Sequence, residues 1–169
     1  TFASAGNGAS NHLSGELFNA MAGIKMEHVP YKGDAPGLVD VISGQVTVAL
    51  PTAIAAAPFI RSGQLRALAV TSNKRLPSFP DVPTVAETIP GFESVSWGGV
   101  MVPAGTPPAI IDRLNSEISK ILKMPDVAEK LKSYGAETVG STPKQFDAYV
   151  KSEIAKWGKV ARENNVTLD

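Results

Sequence analysis

Phe2-Ala-Ser-Ala-Gly-Asn-Gly-Ala-Ser-Asn-His-Leu13 is the stretch that decides the fold: a short apolar start breaks into a Gly-rich turn, and a helical pattern follows at once. Gly6 and Gly8 can take positive φ and let a ligand approach the backbone, while Ser10 or Asn7 is placed to cap the helix. A helix start carries unpaired N–H groups and a partial charge of roughly +0.5, which suits a carboxylate or phosphate without any Lys or Arg. The turn is a candidate ligand cradle.

Outward from that turn, Leu13, Leu17, Phe18 and Met21 fall at helical spacing over residues 10–22, and Gly23 closes the segment. Residues 25–29 read as a strand. The turn over 30–34 ends in Asp34, which is predicted to cap a helix over 35–43 with Pro36 in its first turn. Gly44 ends that helix, residues 46–50 read as a buried strand, Thr52 caps a third helix reaching Arg61, and residues 65–71 read as a fourth strand. Alternating strands and helices predict an α/β lobe with a parallel sheet. Ligands of such sheets sit beyond the carboxyl ends of the strands, so the turns at 5–10, 31–34 and 51–52 are expected to converge on one edge.

Residues 72–91, with Pro77, Pro80, Pro83 and Pro90, read as a crossover containing a short helical patch at 84–88. A strand is predicted over 92–102, with Gly98 and Gly99 marking a bulge or a close approach. Thr106 as cap and Pro107 at the first position start a helix whose apolar face holds Ile110, Ile111, Leu114, Ile118, Ile121 and Leu122. A shorter helix over 125–134, a strand over 137–139, and a capping box at Thr142 and Gln145 opening a long helix through Glu163 complete the chain. The buried face of the last helix is expected to be Phe146, Tyr149, Val150, Ile154, Trp157 and Val160. Three helices and two short strands make a poor lobe alone, so the rest of that sheet is expected from N-terminal sequence outside this chain.

The 169 residues suffice for one ordinary domain or two small lobes, and a 43% hydrophobic content can supply a core. Sixteen basic and sixteen acidic residues cancel, so bulk charge favours neither nucleic acid nor an anionic membrane. The absence of Cys excludes disulfides, thiolate metal sites and Cys nucleophiles. The longest apolar run, residues 46–60, is interrupted by Thr47, Pro51, Thr52 and Pro58 and is too short to span a bilayer, so a soluble protein is expected. The sequence opens inside a strand, without an initiating Met or a basic-then-apolar leader, which reads as a processed or truncated piece of a longer protein.

Five ordered stretches, Ala5-Gly-Asn-Gly-Ala-Ser-Asn-His-Leu13, His28-Val-Pro-Tyr-Lys-Gly33, Leu65-Arg-Ala-Leu-Ala-Val-Thr71, Phe79-Pro-Asp-Val-Pro-Thr-Val-Ala-Glu87 and Pro103-Ala-Gly-Thr-Pro107, together resemble the Bug family. These are the solute receptors of tripartite tricarboxylate transporters, and the resemblance covers almost the whole chain. It implies an exported, periplasmic protein of about twice this length. The implied fold is periplasmic-binding-protein-like, the type II Venus flytrap, closing two lobes on a small carboxylate. Residues 1–94 would be a complete α/β ligand-binding lobe, the family's second. Residues 95–169 would be the C-terminal part of its first lobe, mostly helical and incomplete. The implied partners are a small carboxylate and the membrane components of the transporter, with no nucleic acid and no cofactor. A homodimer or swapped assembly is a further expectation. In the family the turn matching Ala5 to His12 holds a ligand carboxylate through backbone amides and small polar side chains. One departure stands out: Asp-Asn often follows the family's third strand, where this chain has Pro51-Thr52. That makes amino-acid ligands less expected, and plain dicarboxylates or aromatic carboxylates more so.

The candidate ligand-binding residues are Ala5, Gly6, Asn7, Gly8, Ala9, Ser10, His12, Tyr31, Thr52 and Trp97. Each has a plainer reading. The glycine turn can be an ordinary capped βα turn. His12 can face the cleft or cover the surface, His28 suits a core or structural hydrogen bond, Tyr31 and Lys32 suit a turn, and Trp97 suits a core. A dinucleotide fingerprint is weak because Asn11 stands where its third Gly should be, although Glu27 lies near the spacing of a ribose partner. A nucleotide-dependent enzyme or a recruited sensor or docking module are the alternative functions. Ser4 or Ser10 with His12 could be forced into a nucleophile and base, but no Gly-x-Ser-x-Gly elbow is present, so no catalytic residue is expected. Two His and no Cys offer no metal site. The Lys-rich stretch 120–132 reads as a solvated helix face.

Overall fold

The computed structural model describes residues 1–167, which form two compact units. One comprises Thr1–Ser96 with the residues from Trp157 on, and the other Trp97–Lys156.

The first unit is built on a parallel three-stranded sheet. Its strands are β1 (Phe2–Ser4), β2 (His28–Pro30) and β3 (Val48–Ala49), in the order β2-β1-β3. Phe2 pairs with His28 on one side and Val48 on the other. A central parallel strand has neighbours on both edges and helices between them, so all three residues of β1 are buried, Ser4 included. Phe2, Leu38 and Phe92 are the largest fully buried side chains. Helix α1 (Ser10–Ala22) lies so close to the sheet that a Cβ on Gly15 would come within 2.2 Å of the Phe2 ring. Gly37 of α2 (Asp34–Ile42) is similar, its Cβ position falling 3.1 Å from Ala3.

Helix α1 has the predicted bounds and ends on Gly23 at φ 66°, whose N–H donates to Asn19 O. The Asn19 side chain then clamps Met26, accepting its N–H at 2.9 Å and donating to its carbonyl at 3.2 Å. Helix α3 (Ala53–Arg61) is capped as predicted, Thr52 Oγ1 accepting Ala55 N–H at 3.3 Å. Asp34 is not a cap. Gly33 holds that position at φ 105°, and Asp34 is the first helical residue, its charge at the positive end of α2. Both flanking strands are shorter than predicted.

The fourth strand predicted over 65–71 is not formed. Val70 makes one parallel bridge to Thr84, its N–H donating to Pro83 O at 2.8 Å and its carbonyl accepting Val85 N–H at 2.9 Å. A strand needs a continuous partner, and the Pro-rich crossover supplies only that one register. Within the crossover a 3₁₀ turn, Val85–Glu87, is held by a reciprocal capping box between Thr84 and Glu87. Arg75 grips the Glu87 carboxylate through Nε at 2.9 Å and a second guanidinium nitrogen at 2.7 Å. The strand predicted over 92–102 is likewise absent, and Ser94 makes one backbone bond, to Thr71 O at 2.8 Å.

The second unit holds α4 (Pro108–Leu122), α5 (Pro125–Ser133) and the start of α6 (Pro143–Glu163). Helix α4 starts one residue late. Pro107 takes the cap position, and Thr106 Oγ1 donates to Pro103 O at 2.8 Å instead of capping. The capping box on α6 is present: Gln145 N–H donates to Thr142 Oγ1 at 3.2 Å, and Thr142 N–H to Gln145 Oε1 at 2.9 Å. Residues 137–139 form no strand, and Val139 is 89% exposed. The predicted buried face of α6 divides: Val160, in the first unit, is buried, whereas Tyr149 and Ile154 are exposed.

Candidate functional site

Three turns meet beyond the carboxyl ends of the strands, as expected of a parallel sheet. Tyr31 N–H donates to Ser4 O at 3.0 Å and Gly33 N–H to Ala5 O at 3.2 Å, joining the turns after β2 and β1. Asp34 joins all three. One of its oxygens accepts Asn11 Nδ2 at 2.7 Å, and the other faces Thr52 Oγ1 at 3.5 Å. The Asn11 carbonyl in turn accepts Ala5 N–H at 3.0 Å. Asn11 and Asp34 were not among the residues picked from sequence. Asp34 read locally as a cap and Asn11 as a helical residue, and the two are 23 positions apart.

Gly6 and Gly8 take positive φ, 135° and 71°, as the cradle reading required. A Cβ on Gly6 would stand 3.4 Å from Tyr31 O. Many of the turn's amides are spent inside the turn itself. Ala5 N–H goes to Asn11, Gly6 N–H to Ser4 Oγ at 3.1 Å, Gly8 N–H to His12 Nδ1 at 3.0 Å, and Ala9 N–H to Gly6 O at 3.2 Å. Ala9 is the N-cap of α1 and supplies no side-chain cap, and Ser10, expected as a cap, is the first residue of the helix. The first-turn N–H groups of Ser10, Asn11 and His12 have no carbonyl four residues back within the helix, and they mark the anion-attracting end. A row of hydroxyls runs beside them. Ser10 Oγ lies 3.5 Å from Ser96 Oγ, Ser14 Oγ donates to Ser10 O at 2.7 Å, and Ser14 and Ser94 share a hydrogen bond between their buried hydroxyls. Ser14, Ser94 and Ser96 also escaped the sequence reading, since 80 residues separate the bonded pair.

His12 lies behind the turn, buried, with its ring stacked on His28 at 3.6 Å between centroids and 11° between planes. Because Nδ1 accepts the Gly8 N–H, that nitrogen carries no proton and the ring is neutral with its hydrogen on Nε2, which faces Glu16 at 3.8 Å. His28 Nε2 bonds Ser4 Oγ at 2.5 Å. Burial lowers the pKa of both rings. His28 falls to about 4, with its neighbour His12 adding to the effect, while Glu16 opposes the fall at His12. Ser4 therefore meets His28 and not His12, and Ser10 meets Ser96.

The Tyr31 hydroxyl donates to Asp40 at 2.6 Å, which together with partial desolvation raises its pKa, and its ring lies against Gly37. Its side chain is committed to α2. Trp97 belongs to the second unit. There its indole N–H donates to Glu153 at 3.2 Å, and its ring meets Phe146 and Tyr149 edge-on at 5.6 and 5.5 Å. Among the described residues no group of three or more His, Asp or Glu is placed to hold a metal ion, and no helix is long and apolar enough to cross a membrane.

A parallel β2-β1-β3 sheet with helical crossovers and a glycine turn opening a helix at its carboxyl edge defines an α/β lobe of the periplasmic-binding-protein class. More narrowly, residues 1–166 match the model of the tripartite tricarboxylate transporter family receptor, TctC, and the chain belongs to that family. A relative from Pseudomonas sp. (strain P51), the UPF0065 protein in the tcbD-tcbE intergenic region, is 42% identical over 165 residues, covering 96% of this chain and 49% of the relative. Among solved structures, R. palustris Rpa4515 with adipate matches with a TM-score of 0.88 and 38% identity over 98% of this chain and 56% of that one. The periplasmic binding protein BugD matches with a TM-score of 0.82 and 35% identity, at the same coverage. The chain thus spans about half the length of the first of these relatives.

Proposed function

We propose that this protein is an extracytoplasmic receptor that captures a small carboxylate between two lobes and passes it to the membrane components of a tripartite transporter. Residues 1–94 act as the ligand-binding lobe, and the C-terminal part of the other lies within residues 95–169, whose end from Trp157 on returns to the first unit. The observation that carries this reading is the start of α1, with no side-chain bond from its N-cap Ala9, at the junction of three turns. The N–H groups of Ser10, Asn11 and His12 there, with the Ser10 hydroxyl, can make charge-assisted bonds to one carboxylate. The adipate on a neighbour 38% identical to this chain supports a dicarboxylate. Asp34 beside Thr52 places a negative charge at the adjoining corner, which turns a second ligand carboxylate away from that corner and toward the facing lobe. The function is binding, with no covalent step, and the location is the periplasm.

Titration of the intact protein with four- to six-carbon dicarboxylates and with benzoate, read by calorimetry and melting temperature, tests the proposal. A dicarboxylate at about 100 times its Kd should stabilise the fold by about 2.7 kcal/mol. Ser10→Asp, which sets a like charge at the helix start, should weaken binding about tenfold or more while leaving the fold intact. No response across the whole panel would overturn the receptor reading.

A further inference from the structure

We propose that neutral His12 is the positioning residue of the ligand cradle: by accepting the Gly8 N–H from behind, its Nδ1 holds the glycine turn in the binding geometry, so that protonation of His12 releases the turn and ligand capture weakens in acid. The inference rests on the carboxylate-receptor reading and adds to it a control on the site.

The geometry allows little else. Gly8 stands at φ 71° as the second central residue of a turn that Ala9 N–H closes on Gly6 O, and the 3.0 Å bond to Nδ1 is its own amide's bond to a side chain one turn of chain away. An imidazolium has no acceptor nitrogen, so a protonated His12 cannot keep that bond. It would instead present a donor to a donor, and the Gly8 amide would have to turn away. The turn carries Gly6 and Ala9 with it, since Ala9 N–H bonds to Gly6 O.

The surroundings set the direction of the response. Two titratable groups face the His12 ring: Glu16 from its own helix, 3.8 Å from Nε2, and His28 from β2, stacked on it at 3.6 Å. From β1 the neighbouring side chains are Phe2, at 6.3 Å between ring centroids, and Ser4, which reaches the pair through His28. Glu16 favours the cation, but burial disfavours it more, and the His12 pKa is lowered on balance. The second ring adds a further restraint, because two stacked imidazoles cannot both carry charge cheaply. The neutral pair is therefore the state at neutral pH, and the release belongs below the ordinary histidine value.

The test compares the wild type with His12→Asn, whose Oδ1 stands close to where Nδ1 stands and accepts a hydrogen bond at every pH. Dicarboxylate affinity is measured by calorimetry at about pH 7.5 and pH 5.0. The wild type should lose about tenfold between the two, the scale of one released hydrogen bond to a binding turn, while His12→Asn, whatever its affinity at pH 7.5, should lose much less. Ionisation of the ligand is common to both proteins and cancels. In the wild type, NMR should show the Gly8 amide shift moving with the same midpoint as the His12 ring, a readout that does not depend on any variant folding. Equal pH dependence in both proteins, or a Gly8 amide indifferent to His12 titration, would overturn the proposal. Absence of binding at pH 7.5 in the wild type would instead strike the receptor reading, with the Gly8 amide titration still deciding the role of His12.

Discussion

The two units treat their apolar residues in opposite ways. Every buried hydrophobic side chain among the described residues, from Phe2 to Phe92 and Val160, lies in the first unit, and so does every buried polar one. In the second unit Ile110, Leu114 and Ile121 of α4 and Tyr149 and Ile154 of α6 are exposed, although the helices carrying them are more amphipathic than α1, α2 or α3. The difference is a sheet. Three parallel strands give α1 and α2 a flat apolar surface to approach, down to the contact of Gly15 with Phe2. The second unit has helices and no strand among the described residues, so its apolar stripes have no layer to bury against. An amphipathic pattern secures a helix, and burial needs a second surface.

Several substitutions can break or sharpen that contrast. The largest effect is expected at the centre of the sheet, where Phe2→Ala should cost about 3–5 kcal/mol and Ile154→Ala, 67% exposed, a small fraction of that in denaturant melts. Equal costs would show that the second unit is buried in solution. A closer comparison sets two glycines side by side. A Cβ at Gly15 would meet the Phe2 ring at 2.2 Å and one at Gly99 the Phe146 ring at 2.1 Å, so the steric insult is the same. Phe2 is fully buried and cannot yield, whereas Phe146 is only half-buried. Gly15→Ala should therefore cost about 2–3 kcal/mol and Gly99→Ala under about 1 kcal/mol.

Acid should distinguish the units as well. His28 in the folded state titrates near 4, below its ordinary value of 6.5, so the unfolded chain takes up a proton first as the pH falls. The contribution of His28 is complete above about pH 6.5 and declines as the pH falls from there to about pH 4, where the folded ring protonates too. Hydrogen exchange should show this loss in the first unit, and His28→Gln should make the slope shallower, leaving the part that His12 contributes. The smallest effect is expected at Glu87, exposed on the crossover. Its carboxyl is held down to about 2 by Arg75 first and the Thr84 amide second, so its contribution is complete above the ordinary value of 4.5 and is lost as the pH falls from there to about 2. An NMR titration of Glu87 checks the value. Glu87→Gln should move the melting temperature less than any change above, because exposed ion pairs contribute little.

Much of the fold is legible along the chain because its signals are local. Gly23, Thr52 and the Thr142–Gln145 box mark helix ends through bonds that close within a few residues, and each is found where it is predicted. The strands fail for the converse reason. Residues 65–71 and 92–102 have strand-like composition, yet a ladder depends on a partner at a distance, and the described chain gives each only an isolated bond or bridge. The site divides in the same way. The glycines of the cradle announce their positive φ by residue type, whereas Asp34 tying Asn11 to Thr52, and Ser14 meeting Ser94, are pairings that no local spacing encodes.

By itself the sequence determined a helix opening from a glycine turn on a βαβ frame, together with the family motifs that the comparison with known receptors bears out. These follow from backbone preference and short-range bonding, which a window of a few residues contains. Only the tertiary structure decided which amides of the turn are spent and that His12 serves the turn from behind. It alone joined three loops at one carboxylate. Those outcomes hang on distances between residues far apart in the chain, and folding, not local preference, sets such distances.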